Sequence, residues 1–339
     1  MRLHYSLFAA TAGLLAACSE APPPAPCGPD AAAQTGCLTQ VRQEGRSFQG
    51  RSFQGRSFQG TSTSILTVQQ IRIGGVPVDD LRLEGSLLSG AVGGRAVAGA
   101  DFIGAVVTQQ EPDGSLFDST VTDVRTDPRD PAAEIVLYSL SAYNLSTGTQ
   151  DNVCSPDPEG ERWATPVYGT WDGSGAHLDS PTQFLFACTS GVIAKCVRWG
   201  YKPWKVLGDR SLAEYHQACT RMARADYCGD GVSYTQDGTL IDLYDDLRIQ
   251  QRAPLELSSL LLFDAAWTPQ GAYCIAKDRW LSLQALGPML SCKTRFISVG
   301  LLPLASPVDP EDLCLLKRDD VPRSAAHLDN RSALNIRLL

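Results

Sequence analysis

The sequence carries little charge and no surplus of positive charge. Charged residues make up 19% of the chain, and 29 Lys and Arg against 37 Asp and Glu leave a formal net charge of −8. No basic face of the kind that tracks phosphates is in view, so nucleic acid is not an expected partner. Beyond its first eighteen residues the chain also lacks any apolar run long enough to cross a bilayer. "FIGAVV" (102–107) and "LSSLLLF" (257–263) are short and read as core. No serine sits in a G-x-S-x-G elbow. The acids Asp230, Asp237, Asp242, Asp245 and Asp246 lack the alternation of an EF-hand loop, and read as turns and solvated surface. No motif calls for a cofactor, and none is expected. What remains is 339 residues, 43% of them hydrophobic, enough for two compact domains and a linker.

The N-terminus speaks to location. "MRLHYSLFAATAGLLAAC" has one arginine followed by an apolar run from Leu7 to Ala17, which has the length of a secretory h-region. It ends in Leu15-Ala16-Ala17-Cys18, which looks like the lipobox of bacterial lipoproteins. That resemblance implies removal of residues 1–17 as a signal peptide and acylation of Cys18. Ser19, where an aspartate would mark inner-membrane retention, implies the outer membrane. The expected setting is the cell envelope, with the body tethered to the membrane through the lipid and facing an envelope glycan or protein partner.

Such a compartment is oxidising, which decides how to read 11 cysteines. Without Cys18 an even ten remain: Cys27, Cys37, Cys154, Cys188, Cys196, Cys219, Cys228, Cys274, Cys292 and Cys314. Five disulfides are expected, with Cys27 and Cys37 paired to each other. The other eight allow about 105 connectivities and leave their pairing open.

Along the chain, residues 18–61 read as a tether. It contains "APPPAP" (21–26), stiff and polyproline-like, and then "GRSFQGRSFQGRSFQG" (45–60). A period of five fits neither a strand nor a helix, so the repeat reads as spacer. A contribution of irregular strands to the following domain is the other reading. Residues 62–150 have alternating and β-branched character, as in "IRI" (71–73), "LRLEG" (81–85) and "EIVLYSL" (134–140). "PDGS" (112–115) reads as a hairpin turn, and "DPRDP" (127–131) as an exposed loop. From 151 to 318 helical and strand patterns mix, and 319–339 reads as a C-terminal tail. The expected fold class is therefore α+β: a disulfide-stabilised C-terminal domain, preceded by a small all-β domain and an extended N-terminal tether.

Two segments of the later region are sharply patterned. "SGVIAKCVRWG" (190–200) predicts a short helix ending at Gly200. "SLAE" (211–214) is a capping box, after which Leu212, Tyr215, Cys219 and Met222 share one helical face. Asp226 is next on that stripe, and an aspartate opposes the dipole of a helix C-terminus, so the helix should stop near Ala225. "VSYTQDGTLIDL" (232–243) then predicts a hairpin turning at Asp237-Gly238, with Tyr234 opposite Ile241 and Val232 opposite Leu243. "ADYCGDG" (225–231) thus becomes a corner whose aspartate points inward, hydrogen-bonded to turn amides through Gly231.

On these residues the chain resembles the bacterial ADYC-domain family, named for what are here Ala225, Asp226, Tyr227 and Cys228. The blocks "FACTSGVIAKCVRWGYKPW" (186–204), "HQACTRMARADYCGDG" (216–231), "DGTLIDLYD" (237–245) and "AAWTPQGAYC" (265–274) carry the resemblance over roughly 150–295. It implies an extracytoplasmic, cysteine-rich domain and no activity.

Chemistry is weighed against that structural reading. His216 and Cys219 form an H-x-x-C pair that could ligate zinc, but a disulfide is the better expectation here. Asp226 with Asp242 could act as the two carboxylates of a glycan- or peptidoglycan-active hydrolase. Trp199, Tyr201 and Trp204 could stack on sugars, though such aromatics more often lie in a core. The favoured expectation is a binding or structural role with no catalytic residues and no bound metal.

Overall fold

The computed structural model describes residues 46–48, 66–111, 113–144, 148–235, 239–252, 261–276, 279–282, 297–298, 328–333 and 335–337. Alternation dominates these stretches, and the chain answers it with β-sheet. The first sheet is antiparallel, in the order Phe184–Cys188, Ala164–Tyr168, Val136–Asn144, Leu116–Thr126, Val106–Gln110, Thr67–Ile73 and Val76–Pro77. Thr149–Asn152 adds to Val136–Asn144 beside it. Inward residues such as Val107, Val121, Leu140 and Phe186 are buried, while Thr108 and Asp118 face out and hydrogen-bond at 2.6 Å. A three-stranded meander, Asp79–Glu84, Leu87–Val92 and Arg95–Ala98, packs on this sheet. Two tyrosines fix its position: the Tyr138 and Tyr168 hydroxyls accept the amides of Leu88 and Leu83 at 2.9 and 2.8 Å.

The second sheet runs Arg46–Phe48, Thr239–Asp245, Leu328–Ala333, Leu261–Thr268, Gly271–Ile275 and Ile297–Ser298. Its pairings are antiparallel except the last. Among the described residues there are two α-helices, α1 (Val192–Arg198) and α2 (Leu212–Arg224). Their buried faces share one apolar core with residues of both sheets: Leu137, Leu185 and Ala187 from the first, Ile241, Trp267 and Ile275 from the second. A disulfide between Cys196 and Cys219 staples α1 to α2.

Several expectations are corrected here. The fold is β-rich rather than α+β, because two short helices stand against sheet on either side of their core. The described end of the apolar run 257–263 is buried, as expected, in the strand Leu261–Thr268; residues 257–260 lie outside the described residues. The boundary expected at residue 150 falls inside the first sheet, since Ala164–Tyr168 pairs with Val136–Asn144 and Phe184–Cys188. Leu328–Ala333 is no tail; it lies between Thr239–Asp245 and Leu261–Thr268. The predicted hairpin is not formed either: residues 232–235 are not strand, and Ile241 is opposite Arg46 and Ser332. Asp237 and Gly238 lie outside the described residues.

The loop "DPRDP" is not simply exposed. Asp127 is buried and meets the Arg198 guanidinium at the end of α1, with Nε–Oδ2 2.6 Å, and Arg198 also reaches Asp157 at 3.2 Å. Lys202 Nζ donates to Asp130 at 2.8 Å and to Glu134 at 2.6 Å, and Lys205 also pairs with Glu134. These contacts lock the loop of the first sheet to the segment following α1. Burial works to raise the Asp130 and Glu134 carboxyls, but Lys202, with Lys205 at Glu134, outweighs it, and both lie below their ordinary values.

Two tests follow. Arg198→Leu leaves Asp127 and Asp157 buried without their counter-ion and should cost about 3–5 kcal/mol in denaturant unfolding, the usual penalty for breaking a buried pair. The depressed carboxyls contribute stability that is present above their ordinary values of 3.8 and 4.5 and is lost as pH falls through the folded values. Lys202→Met should therefore move the acid-unfolding midpoint to higher pH; an unchanged midpoint would show that the lock carries no stability.

Candidate functional site at the end of the long helix

Ser211 begins α2 as its cap, its hydroxyl accepting the Ala213 amide at 3.3 Å. The stripe of Leu212, Tyr215, Cys219 and Met222 is buried along its length. The helix stops at Ala225, which adopts the left-handed conformation with φ 51°. Ala225 and Asp226 donate their amides to Met222 and Arg221, the two bonds of a Schellman ending. Glycine usually takes this place, and a side chain there costs about 1–3 kcal/mol. Here the alanine methyl is fully buried in the core, so packing offsets part of the strain.

Asp226 is fully buried and serves three donors. Its carboxylate accepts the Asp230 amide at 3.1 Å, the Gly231 amide at 3.0 Å and the Arg221 guanidinium. Burial lifts this carboxyl above its ordinary value, and Arg221 and the Gly231 amide pull it back only in part. Arg221 is itself buried and also donates to the carbonyls of Ser174 and Pro269. It therefore joins the helix end, the turn at 172–176 and the hairpin at 268–271.

Tyr227 stacks on Trp267 with ring centroids 5.1 Å apart. Its hydroxyl donates to Asp264 at 2.8 Å and accepts the Arg279 amide at 2.8 Å. Asp264 also takes Arg279 Nε and the Asn330 amide nitrogen, both at 2.9 Å, while Asn330 accepts Trp267 Nε1 at 2.8 Å. Arg279 finally donates to the carbonyls of Met222 and Ala223, closing the end of α2. Cys228 and Cys274 are each disulfide-bonded. Gly229 and Gly271 let two backbones meet: a Cβ on Gly229 would fall 2.1 Å from the Gln270 oxygen, and one on Gly271 2.7 Å from the Tyr227 oxygen.

The other sequence candidates lie in separate settings. Asp242 is buried on the strand Thr239–Asp245, opposite Arg331. His216 is buried, its Nε2 3.0 Å from the Ile193 carbonyl, and desolvation lowers its pKa to about 4. Cys219 is committed to Cys196, which removes it as a thiolate ligand. Asp230 caps the Val232 amide, Asp245 accepts Tyr201 and the amides of Ile249 and Gln250, and Asp246 accepts Tyr215. No group of three or more His, Cys, Asp or Glu among the described residues is arranged to hold a metal ion. Trp199 and Tyr201 are buried, and Trp204 is half-buried against the core. Cys154 pairs with Cys188. Cys18, Cys27, Cys37, Cys292 and Cys314 lie outside the described residues.

The residues that the sequence reading missed are Arg221, Asp264, Arg279 and Asn330. Arg221 had one available signal, a cation in the last turn of a helix before an aspartate. The other three meet only through the sheet.

A β-rich, disulfide-stapled fold with a buried polar corner built from "ADYC" is the class these residues define. The family model of the ADYC domain matches residues 99–281, just over half the chain, and the protein belongs to that family. The match begins well before residue 150, in keeping with a sheet that crosses it. No curated protein and no solved structure matches the chain.

The corner makes its own prediction. Asp226→Ala strands two turn amides and leaves Arg221 buried without its carboxylate, and should cost about 3–5 kcal/mol. Asp226→Asn keeps one acceptor and should cost less. Thermal and denaturant unfolding measure both; an Ala variant as stable as wild type would remove the structural role assigned to this carboxylate.

Proposed function

We propose that this protein is a lipid-anchored component of the bacterial envelope whose ADYC region has a binding or structural role rather than a catalytic one. The observation that carries this reading is the occupation of the signature. Asp226 serves Arg221 and two turn amides, and Tyr227 serves Asp264 and Arg279, with all five of these named side chains buried. A general acid or base must reach a proton on its substrate, and these groups are spent on the chain itself. Leu15-Ala16-Ala17-Cys18 supports the anchor, and Ser19 supports the outer membrane as its destination. Multiple acyl chains, at about 0.8 kcal/mol per buried methylene, would hold the body firmly at the surface. An envelope glycan or protein is the partner such a body would meet.

The mature protein should begin at an acylated Cys18 and enter the detergent phase, while Cys18→Ala should leave it in the aqueous phase. Intact mass showing an unmodified N-terminus elsewhere would overturn the anchor. Incubated with purified cell-wall glycan, the wild-type protein should release no soluble fragments. Release that disappears in Asp242→Asn at an unchanged melting temperature would replace the binding role with a hydrolase.

A further inference from the structure

The first GRSFQ unit is not only spacer. Arg46–Phe48 forms the outer strand of the second sheet, with Arg46 opposite Ile241, Ser47 opposite Leu240 and Phe48 opposite Thr239. Strand addition at a sheet edge draws its affinity from main-chain hydrogen bonds, which any extended segment can make. What selects one segment is its sequence and how closely it is tethered. Here both criteria are met three times over, because Arg-Ser-Phe recurs unchanged at 51–53 and 56–58, each time after glycine and before glutamine. A strand register is set by side-chain pattern, and an exact repeat removes the difference between one copy and the next.

We infer that the edge of Thr239–Asp245 is a peptide-docking site for an Arg-Ser-Phe unit, and that the three units are interchangeable occupants of it. The chain fills the site from within, one unit at a time. Each change of unit moves the docked point by five residues, about 17 Å of extended chain. Resting on the anchor proposed above, this shifts the free length between Cys18 and the body in steps, with no change in the body. The docking site itself does not depend on the lipid, and is tested without it.

The test uses the full chain, with Arg and Ser of a unit both replaced by proline. Neighbouring strand residues turn their N–H groups to opposite sides, so this removes at least one amide facing the sheet, whichever side that is. One variant alters the first unit (Arg46→Pro with Ser47→Pro), and a second alters all three. The probe is a fluorescent GRSFQG peptide read by anisotropy. A tethered occupant competes at an effective concentration in the millimolar range, so the three-unit variant should bind the probe at least about tenfold more tightly than wild type. The first-unit variant should behave like wild type, because the next unit takes its place. No binding by a folded three-unit variant would overturn the site. Tight binding by the first-unit variant would overturn interchangeability. Should the three-unit variant fail to fold, a chain lacking residues 46–50 decides: it should melt with wild type, and a clear drop in melting temperature would overturn the inference.

Discussion

A helix that ends inside a protein leaves carbonyl groups without partners, and α2 ends among fully buried side chains. Everything around the ADYC corner answers that constraint. The Schellman bonds of Ala225 and Asp226 satisfy two carbonyls, and Arg279 supplies donors to those of Met222 and Ala223. An arginine brought there is a buried charge that requires a buried counter-charge, which is Asp264 at 2.9 Å. Asp264 in turn has capacity for further donors, and Tyr227 and Asn330 supply them. The corner is thus a chain of obligations that starts with backbone geometry.

Seen this way, the four signature residues divide the work. Alanine closes the helix and still fills the core, where glycine would leave a gap. Aspartate folds the following turn around its own carboxylate and neutralises Arg221. Tyrosine reaches the second sheet with a ring for Trp267 and a hydroxyl for Asp264. Cysteine adds a covalent tie. The same logic recurs at the other end of the helical layer, where Arg198 and Lys202 hold the loop 127–134 through three carboxylates and Arg198 also holds Asp157. Such pairs contribute little net stability against apolar replacements, yet each is strongly unfavourable to break singly, which makes the arrangement specific. They also join the stretches on either side of residue 150, where a domain boundary was expected.

Interactions within a few residues were legible in the sequence. Period and capping residues placed α1 and α2 and stopped the second at Ala225, because helix hydrogen bonds and caps span only four or five positions. The inward direction of Asp226 followed from its place on the stripe of Leu212, Tyr215, Cys219 and Met222, and its turn amides lay just ahead in the chain. Strands such as Thr67–Ile73 and Val136–Asn144 were legible from alternation. Leu261–Thr268 shows the limit, since a strand buried on both faces has no alternation to read.

The sequence by itself therefore determined the two helices, several strands, the inward turn at Asp226 and the lipobox-like start, but not the partner of Thr239–Asp245, which a local turn signal had placed at residues 232–235. It could not determine which strands pair. That choice belongs to the tertiary structure: it places Leu328–Ala333 between Thr239–Asp245 and Leu261–Thr268, and brings Asn330 to Asp264 across 66 positions. It likewise decided that Arg198 meets Asp127 across 71 positions, and that the chain is β-rich. The physical reason is that strand edges, buried charges and apolar faces are satisfied by whatever the completed fold brings near, and nearness in a sheet leaves no trace in spacing along the chain.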